Sequence, residues 1–145
     1  GADLLVKTVE AIAAGDYPLL DQVGLLAGRE PKHAPKIFKE DMKVDWTLGV
    51  DAIFNHIRGL SPFPTAWTEF RNKKNGEVVS LKIFETERIV KDHGKDVGLS
   101  TDNKTYLDEL VEGGVIRIKE LQLSGKKRMK TEEFLRGFHI EDCSL

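Results

Sequence analysis

Gly113-Gly114-Val115-Ile116-Arg117-Ile118-Lys119-Glu120-Leu121-Gln122-Leu123-Ser124-Gly125-Lys126-Lys127-Arg128-Met129 contains the irregularity that decides the fold. Ile116 and Ile118 alternate on one face of a strand, whereas Leu121 and Leu123 alternate on the opposite parity. Side chains of a regular strand change face at every residue, so an unbroken strand cannot bury both pairs. A β-bulge near Lys119-Glu120 restores the phase. Bulged, strongly coiled strands are what small barrels use to close on themselves. The strand then runs into a Ser-Gly turn that delivers three consecutive cations, Lys126, Lys127 and Arg128, ahead of a helix-like segment at 131–138. A cationic turn held between two ordered elements presents charge to an anion at a smaller loss of chain entropy than a free tail.

Working outward, alternation at Ala66, Thr68 and Phe70 begins a strand, and Asn75-Gly76 marks a hairpin turn because both residues tolerate positive φ. Val79, Leu81 and Ile83 form the return strand, with Ser80 and Lys82 on its other face. Further short strands are expected at 97–101 and 105–111. Five or so strands in about 60 residues, joined by tight turns, point to a small Greek-key barrel of the OB type. The fold class is mainly β with flanking helices: an OB-like barrel preceded by a helix and a linker. Thr47 or Asp45 is expected to cap a helix whose apolar face is Val50, Ile53, Phe54, Ile57 and Leu60. Ser61-Pro62-Phe63-Pro64 stops it.

At the start, Leu4, Leu5, Val9 and Ile12 make an apolar stripe on a helix over 3–14 that ends at Gly15 and Pro18. A native chain rarely opens in the middle of such an element, so a fragment with its preceding domain missing is expected. Residues 17–35 lack a clean period, carry Gly24, Gly28, Pro31 and Pro35, and read as a linker. The expected organisation is a terminal helix at 1–17, a linker at 18–43 and a barrel domain at 44–145.

The 145 residues are 40% hydrophobic and carry a net charge of −2. Bulk charge therefore does not draw this chain to nucleic acid, and any such contact must come from a local patch. Lys126, Lys127, Arg128 and Lys130 form the densest patch; Lys36, Lys39 and Lys43 form a second; Arg71, Lys73 and Lys74 form a third. No apolar run approaches the roughly 20 residues that span a bilayer. The single Cys143 has no partner within the chain, which fits a reducing, cytoplasmic compartment. Asn55 and His56 are adjacent on a helix, and His33, His56, His93 and His139 are scattered. No Cys/His metal spacing, Gly-rich phosphate loop or Ser/His/Asp arrangement is present in the sequence.

Three motifs in order carry a family resemblance: Val44-Asp45-Trp46-Thr47-Leu48, then Ile57-Arg58-Gly59-Leu60-Ser61-Pro62-Phe63-Pro64-Thr65-Ala66-Trp67, then 121–129. Together they resemble the C-terminal region of the methionyl-tRNA formyltransferases. In that family an Asp-Trp dipeptide opens the domain, a helix runs through an Arg to a Pro-aromatic-Pro corner, and a Leu-rich strand leads to Gly-Lys-Lys. The opening Gly1-Ala2-Asp3-Leu4-Leu5 is similar to the last helix of the family's catalytic domain. The chain departs where the family often has Asn and Trp in the corner; here Ser61 and Phe63 stand instead.

The resemblance implies a Rossmann-like N-terminal domain that binds 10-formyltetrahydrofolate and holds an Asn-x-His pair with a separate Asp. It implies that the present stretch positions initiator methionyl-tRNA through its backbone and carries no catalytic group, metal or cofactor of its own. The partners implied are that tRNA and the enzyme's own N-terminal domain, with no membrane. Lys126, Lys127, Arg128 and Lys130 are the expected phosphate contacts. Lys36, Lys39 and Lys43 lie where the linker enters the barrel, and Arg58 comes late in the helix, where a cation also favours the helix dipole. Trp46, Phe63 and Trp67 are expected to pack at the helix-to-barrel corner. Two rivals stand beside this reading: a formyl- or hydroxymethyl-transferring enzyme acting on a small molecule, and a stand-alone OB-type interaction domain. The cationic run argues against the first and the apolar first helix against the second.

Overall fold

The computed structural model describes residues 1–72, 76–94, 97–138, 140 and 143–145. Two compact units make up the chain, Gly1–Lys36 and Ile37–Leu145. Asn75 of the expected hairpin turn, Lys73, Lys74 and His139 lie outside the described residues.

The first unit contains α1 (Ala2–Ala14) and α2 (Gln22–Leu26). Gly15, at φ 72°, ends α1 as expected; its N–H donates to the Ile12 carbonyl and that of Asp16 to the Ala11 carbonyl. The stripe of Leu4, Leu5, Val9 and Ile12 is exposed. The expected linker is more ordered locally than its composition suggests. Asp21 accepts hydrogen bonds from the N–H groups of Val23 and Gly24 and so caps α2, a helix too short to show a period.

The second unit runs through a single 3-10 turn (Glu40–Met42), α3 (Val50–Leu60), β1 (Ala66–Asn72), β2 (Val78–Ile89), β3 (Gly98–Thr101), β4 (Leu107–Val111), β5 (Gly114–Leu123), β6 (Met129–Lys130), α4 (Thr131–Gly137) and β7 (Cys143–Ser144). All the strand pairs are antiparallel, in the order β3-β4-β5-β2-β1-β7, with β6 added to β5. The two ends of this sheet approach one another, and Asn103 bridges them: its side chain accepts from the Ile140 N–H and donates to the Ile140 carbonyl. The result is a nearly closed, OB-like barrel, with α3 packed against it.

The bulge expected near Lys119-Glu120 is present. Thr86 pairs with Ile118 and Glu85 with Glu120, leaving Lys119 extra on β5. A second bulge answers it, since Ile83 pairs with Leu121 and Phe84 is left extra on β2. Both strands therefore change face at the same place and return to a common register. Ile116, Ile118, Leu121 and Leu123 are all buried as a result.

Val50, Ile53, Ile57 and Leu60 of α3 join Phe70, Leu81, Ile83 and the β5 residues in one core. Phe54, expected on the same face, sits half-buried at its edge. The helix cap differs from expectation. Asp45 accepts from the Thr47 N–H and hydroxyl within a preceding turn, while Gly49 is the N-cap and the Val50 N–H donates to the Glu112 carbonyl. The start of α3 is thus satisfied by the β4–β5 turn rather than by a side chain. Gly114 in that turn admits no side chain, because a Cβ there would stand 2.4 Å from the Ile89 carbonyl oxygen. Across β4 and β5, buried Asp108 accepts two hydrogen bonds from Arg117, both 2.8 Å long.

The corner at Ser61-Pro62-Phe63-Pro64 corrects one expectation. Trp46 and Trp67 are partly buried, but Phe63 is 88% exposed. The inside of the bend is filled by Thr65 and Ala66, both buried; the Thr65 N–H donates to the Leu60 carbonyl and its hydroxyl to the Pro62 carbonyl. These small residues close the corner and leave the ring outside. Substituting Phe63→Ala should therefore change unfolding free energy by no more than about 0.5 kcal/mol. Phe70→Ala, which empties a site only 1% exposed, should cost about 3–5 kcal/mol. Urea unfolding of the two variants checks the contrast; equal losses would contradict the outward placement of Phe63.

Candidate nucleic-acid interface

Alternation fixes which side chains leave the barrel. On β1, Thr68 and Phe70 point inward, so Trp67 and Glu69 point out. On β2, Leu81 and Ile83 are inside, so Ser80 and Lys82 are outside; on β5, Leu121 and Leu123 are inside and Gln122 outside. Trp67 pairs with Lys82, and Lys82 pairs with Gln122. These three residues therefore lie in a row across the outer face of three strands.

Lys39 and Lys43 are tied to one end of this row. The Trp67 indole N–H donates to the Lys39 carbonyl, and the Val44 N–H donates to the Trp67 carbonyl. Both ammonium groups lie over the indole ring, at 5.4 Å and 5.2 Å from its centre. Lys43 also pairs with Glu69 at 2.9 Å, and the Lys43 hydrogen bond holds the Glu69 carboxyl below its ordinary value.

The terminal turn forms the other end. The Ser124 N–H donates to the Ser80 carbonyl, the Lys126 N–H to the Leu123 carbonyl, and the Gln122 side-chain amide to the Lys126 carbonyl. Gly125 supplies the positive φ, 75°, that the turn requires. Beyond the cations the chain pairs back onto β5 through Leu121–Met129 and Glu120–Lys130. Lys127 pairs with Glu133 at 3.4 Å across highly exposed side chains, and such pairs contribute little. Arg128 pairs with Glu120 and lies 4.2 Å from the centre of the Phe84 ring, the residue bulged out of β2. Among the described residues Lys126 has no acidic partner.

The expected cations thus fall into distinct places. Lys39 and Lys43 and the 126–128 turn, separate clusters in the sequence, flank the same β1–β2–β5 face at its two ends. Lys130 opens instead onto a groove of about 260 Å³ that also presents Glu85, Glu120 and Glu132 with Arg117 and Lys119. Arg58 is held by its own helix: its Nε donates to Asn55, and its guanidinium, like that of Arg88, lies over Phe54. Lys36 belongs to the first unit. Lys82, in the middle of the row, was not among the expected site residues. It stands alone in the sequence, and only the strand register places it between the two clusters.

The Arg128–Glu120 pair has a consequence for pH. The hydrogen bond from Arg128 holds the Glu120 carboxyl below its ordinary value. A depressed carboxylate contributes stability above the unfolded pKa of about 4.3 and loses it as pH falls through the lower folded value. Replacing Arg128→Ala should return the Glu120 titration upward, toward the ordinary range. A carboxyl-carbon NMR titration reads this directly, and an unmoved Glu120 would contradict the pairing.

The model of the family described as formyl transferase, C-terminal domain, matches residues 36–139. A methionyl-tRNA formyltransferase of Bacteroides fragilis is 43% identical over 99% of the chain and 44% of its own length. That of Phocaeicola vulgatus is 44% identical over 98% of the chain and 44% of its own length. That of Porphyromonas gingivalis is 39% identical over 97% of the chain and 44% of its own length. The chain spans less than half the length of these curated relatives. On a family match covering most of the 145 residues, with relatives aligned along nearly all of them, the chain belongs to the formyl transferase C-terminal domain family.

Proposed function

We propose that this chain is the tRNA-positioning part of a methionyl-tRNA formyltransferase. The whole protein would transfer a formyl group from 10-formyltetrahydrofolate to the amino group of methionine on initiator tRNA. In this reading the donor and the reacting groups belong to a Rossmann-like domain preceding the present stretch, and the barrel contributes binding energy that holds the acceptor end in place. The compartment in this reading is the cytoplasm, where the proposed substrate tRNA is made and used.

The observation that carries the proposal is the outer face of β1, β2 and β5. A chain of net charge −2 gathers Lys39, Lys43, Lys82 and the 126–128 turn on one side of its barrel. The backbone on both sides of the turn is hydrogen-bonded, so its charges are presented without the ordering cost of a loose tail. Aromatic rings under Lys39, Lys43 and Arg128 keep those groups directed while leaving them accessible. Such a surface suits a phosphate backbone and reads no base sequence. The names of the relatives supply the nucleic acid: methionyl-tRNA.

Replacing Lys126, Lys127 and Arg128 together by Ala in the full-length enzyme should weaken initiator-tRNA binding. The slope of log K against log salt should become shallower by roughly 0.7–0.9 for each phosphate no longer neutralised. Folate binding and discrimination among tRNAs should be unchanged. A salt titration of tRNA affinity for both proteins decides; parallel slopes and equal affinities would reduce the run to a solvated turn. The isolated chain should also transfer no formyl group, and measurable formylation by it would refute the assignment of chemistry to the preceding domain.

A further inference from the structure

Between the outer edge of β2 and the terminal turn lies a groove of about 190 Å³, lined by Ser80, Lys82, Gln122, Leu123, Ser124 and Gly125. We infer that this groove is a phosphate subsite of the proposed tRNA interface, with the Lys82 ammonium as its charged contact and the Ser80 and Ser124 hydroxyls as its neutral donors. The inference rests on the tRNA reading above and names where on the face a backbone phosphate sits.

Its lining is what distinguishes the groove. It presents one cation, three hydroxyl or amide side chains and a glycine, and no carboxylate. The groove at Lys130 sets three glutamates among Arg117, Lys119 and Lys130, and the one beside Trp46 sets Glu69 between Lys43 and Arg71. In those two grooves cations and carboxylates line the same walls; the lining of the Lys82 groove holds its cation without a carboxylate, and Glu69, the β1 partner of Ser80, stands outside that lining and is paired with Lys43. Lys82 is also uncommitted. Lys43, Lys127 and Arg128 each pair with a glutamate that a phosphate would have to displace or share, whereas Lys82 has no acidic partner among the described residues. Its hydrogen bonds to a phosphate would be charge-assisted.

The walls are fixed before any ligand arrives. The Ser124 N–H donates to the Ser80 carbonyl, and the Gln122 amide holds the Lys126 carbonyl on the turn side. Lys82 and Gln122 are register partners, so ladder hydrogen bonds set the floor. The position is central: Trp67 with Lys39 and Lys43 lies on one flank, and the 126–128 turn on the other. A phosphate held here joins the two clusters into a continuous track instead of leaving a neutral gap between them.

The test uses the full-length enzyme and an initiator-tRNA transcript, with affinity measured across a salt series. Lys82→Ala should weaken binding about five-fold at low salt and make the slope shallower by roughly 0.7–0.9. Lys82→Arg should restore both. Ser80→Asp, which places a carboxylate in the groove while leaving Lys82 intact, should weaken binding at least as much. Both residues are exposed, so melting temperatures should be unchanged, and Lys82→Gln serves if the alanine variant is unstable. Unchanged binding by the Lys82 variants while the 126–128 triple variant weakens would overturn the subsite and leave the tRNA reading standing. Weaker binding with Lys82→Ala but not with Ser80→Asp would overturn the groove as the place where the phosphate sits. No effect from the triple variant or the Lys82 variants would overturn the tRNA reading, and the subsite with it.

Discussion

The register between β2 and β5 is the constraint on which the rest of this barrel depends. The two strands share their longest pairing, and each gives up one residue to a bulge at the same level. A bulge in β5 alone would bring its leucines inside but leave its partner one residue out of step, with Leu81 and Ile83 facing water. The answering bulge at Phe84 removes that conflict. The paired bulges also bend the sheet where it must curve to approach closure, and they bring Phe84 to the outside, where it supports Arg128. One geometric adjustment therefore serves the core and the candidate interface together.

That adjustment was half legible in the sequence. The parity break between Ile118 and Leu121 shows the bulge on β5, because apolar residues flank it on both sides. On β2 the residues beyond Phe84 are Glu85, Thr86, Glu87 and Arg88, which alternate nothing apolar and leave no phase to read. Both helices with a clear apolar period, α1 and α3, were visible from that period; α2 was not, since five residues give less than two turns. Asp45 had the composition of a cap but was drawn into a turn with Thr47. Phe63 was expected inside because aromatic rings beside prolines usually pack, yet Thr65 and Ala66 already occupied the space.

The interface divided in the same way. Runs of cations are local features, so the 126–128 turn and the Lys39–Lys43 segment could be found by inspection. Their placement on one face is a non-local property, set by strand pairing between residues far apart in the chain, and so is the position of Lys82. Arg58 and Lys130 carry the right charge but lie away from that face: Arg58 is held by Asn55 and Phe54, and Lys130 lines a groove of mixed charge with Glu85, Glu120, Glu132, Arg117 and Lys119. Charge alone named candidates; topology shows which of them share one face of the barrel.

The two tryptophans of this chain occupy unlike surroundings. Trp46 donates its indole N–H to the Thr68 hydroxyl at the edge of the core, while Trp67 donates to the Lys39 carbonyl beneath two ammonium groups. The excited state of indole has a larger dipole than the ground state, so nearby fixed charge alters the colour and yield of its emission. Trp67 is therefore an intrinsic optical marker of the seam between the segment entering the barrel and its first strand. Anything that lifts that segment, or lays a polyanion across its lysines, changes the light this residue emits before it changes the fold.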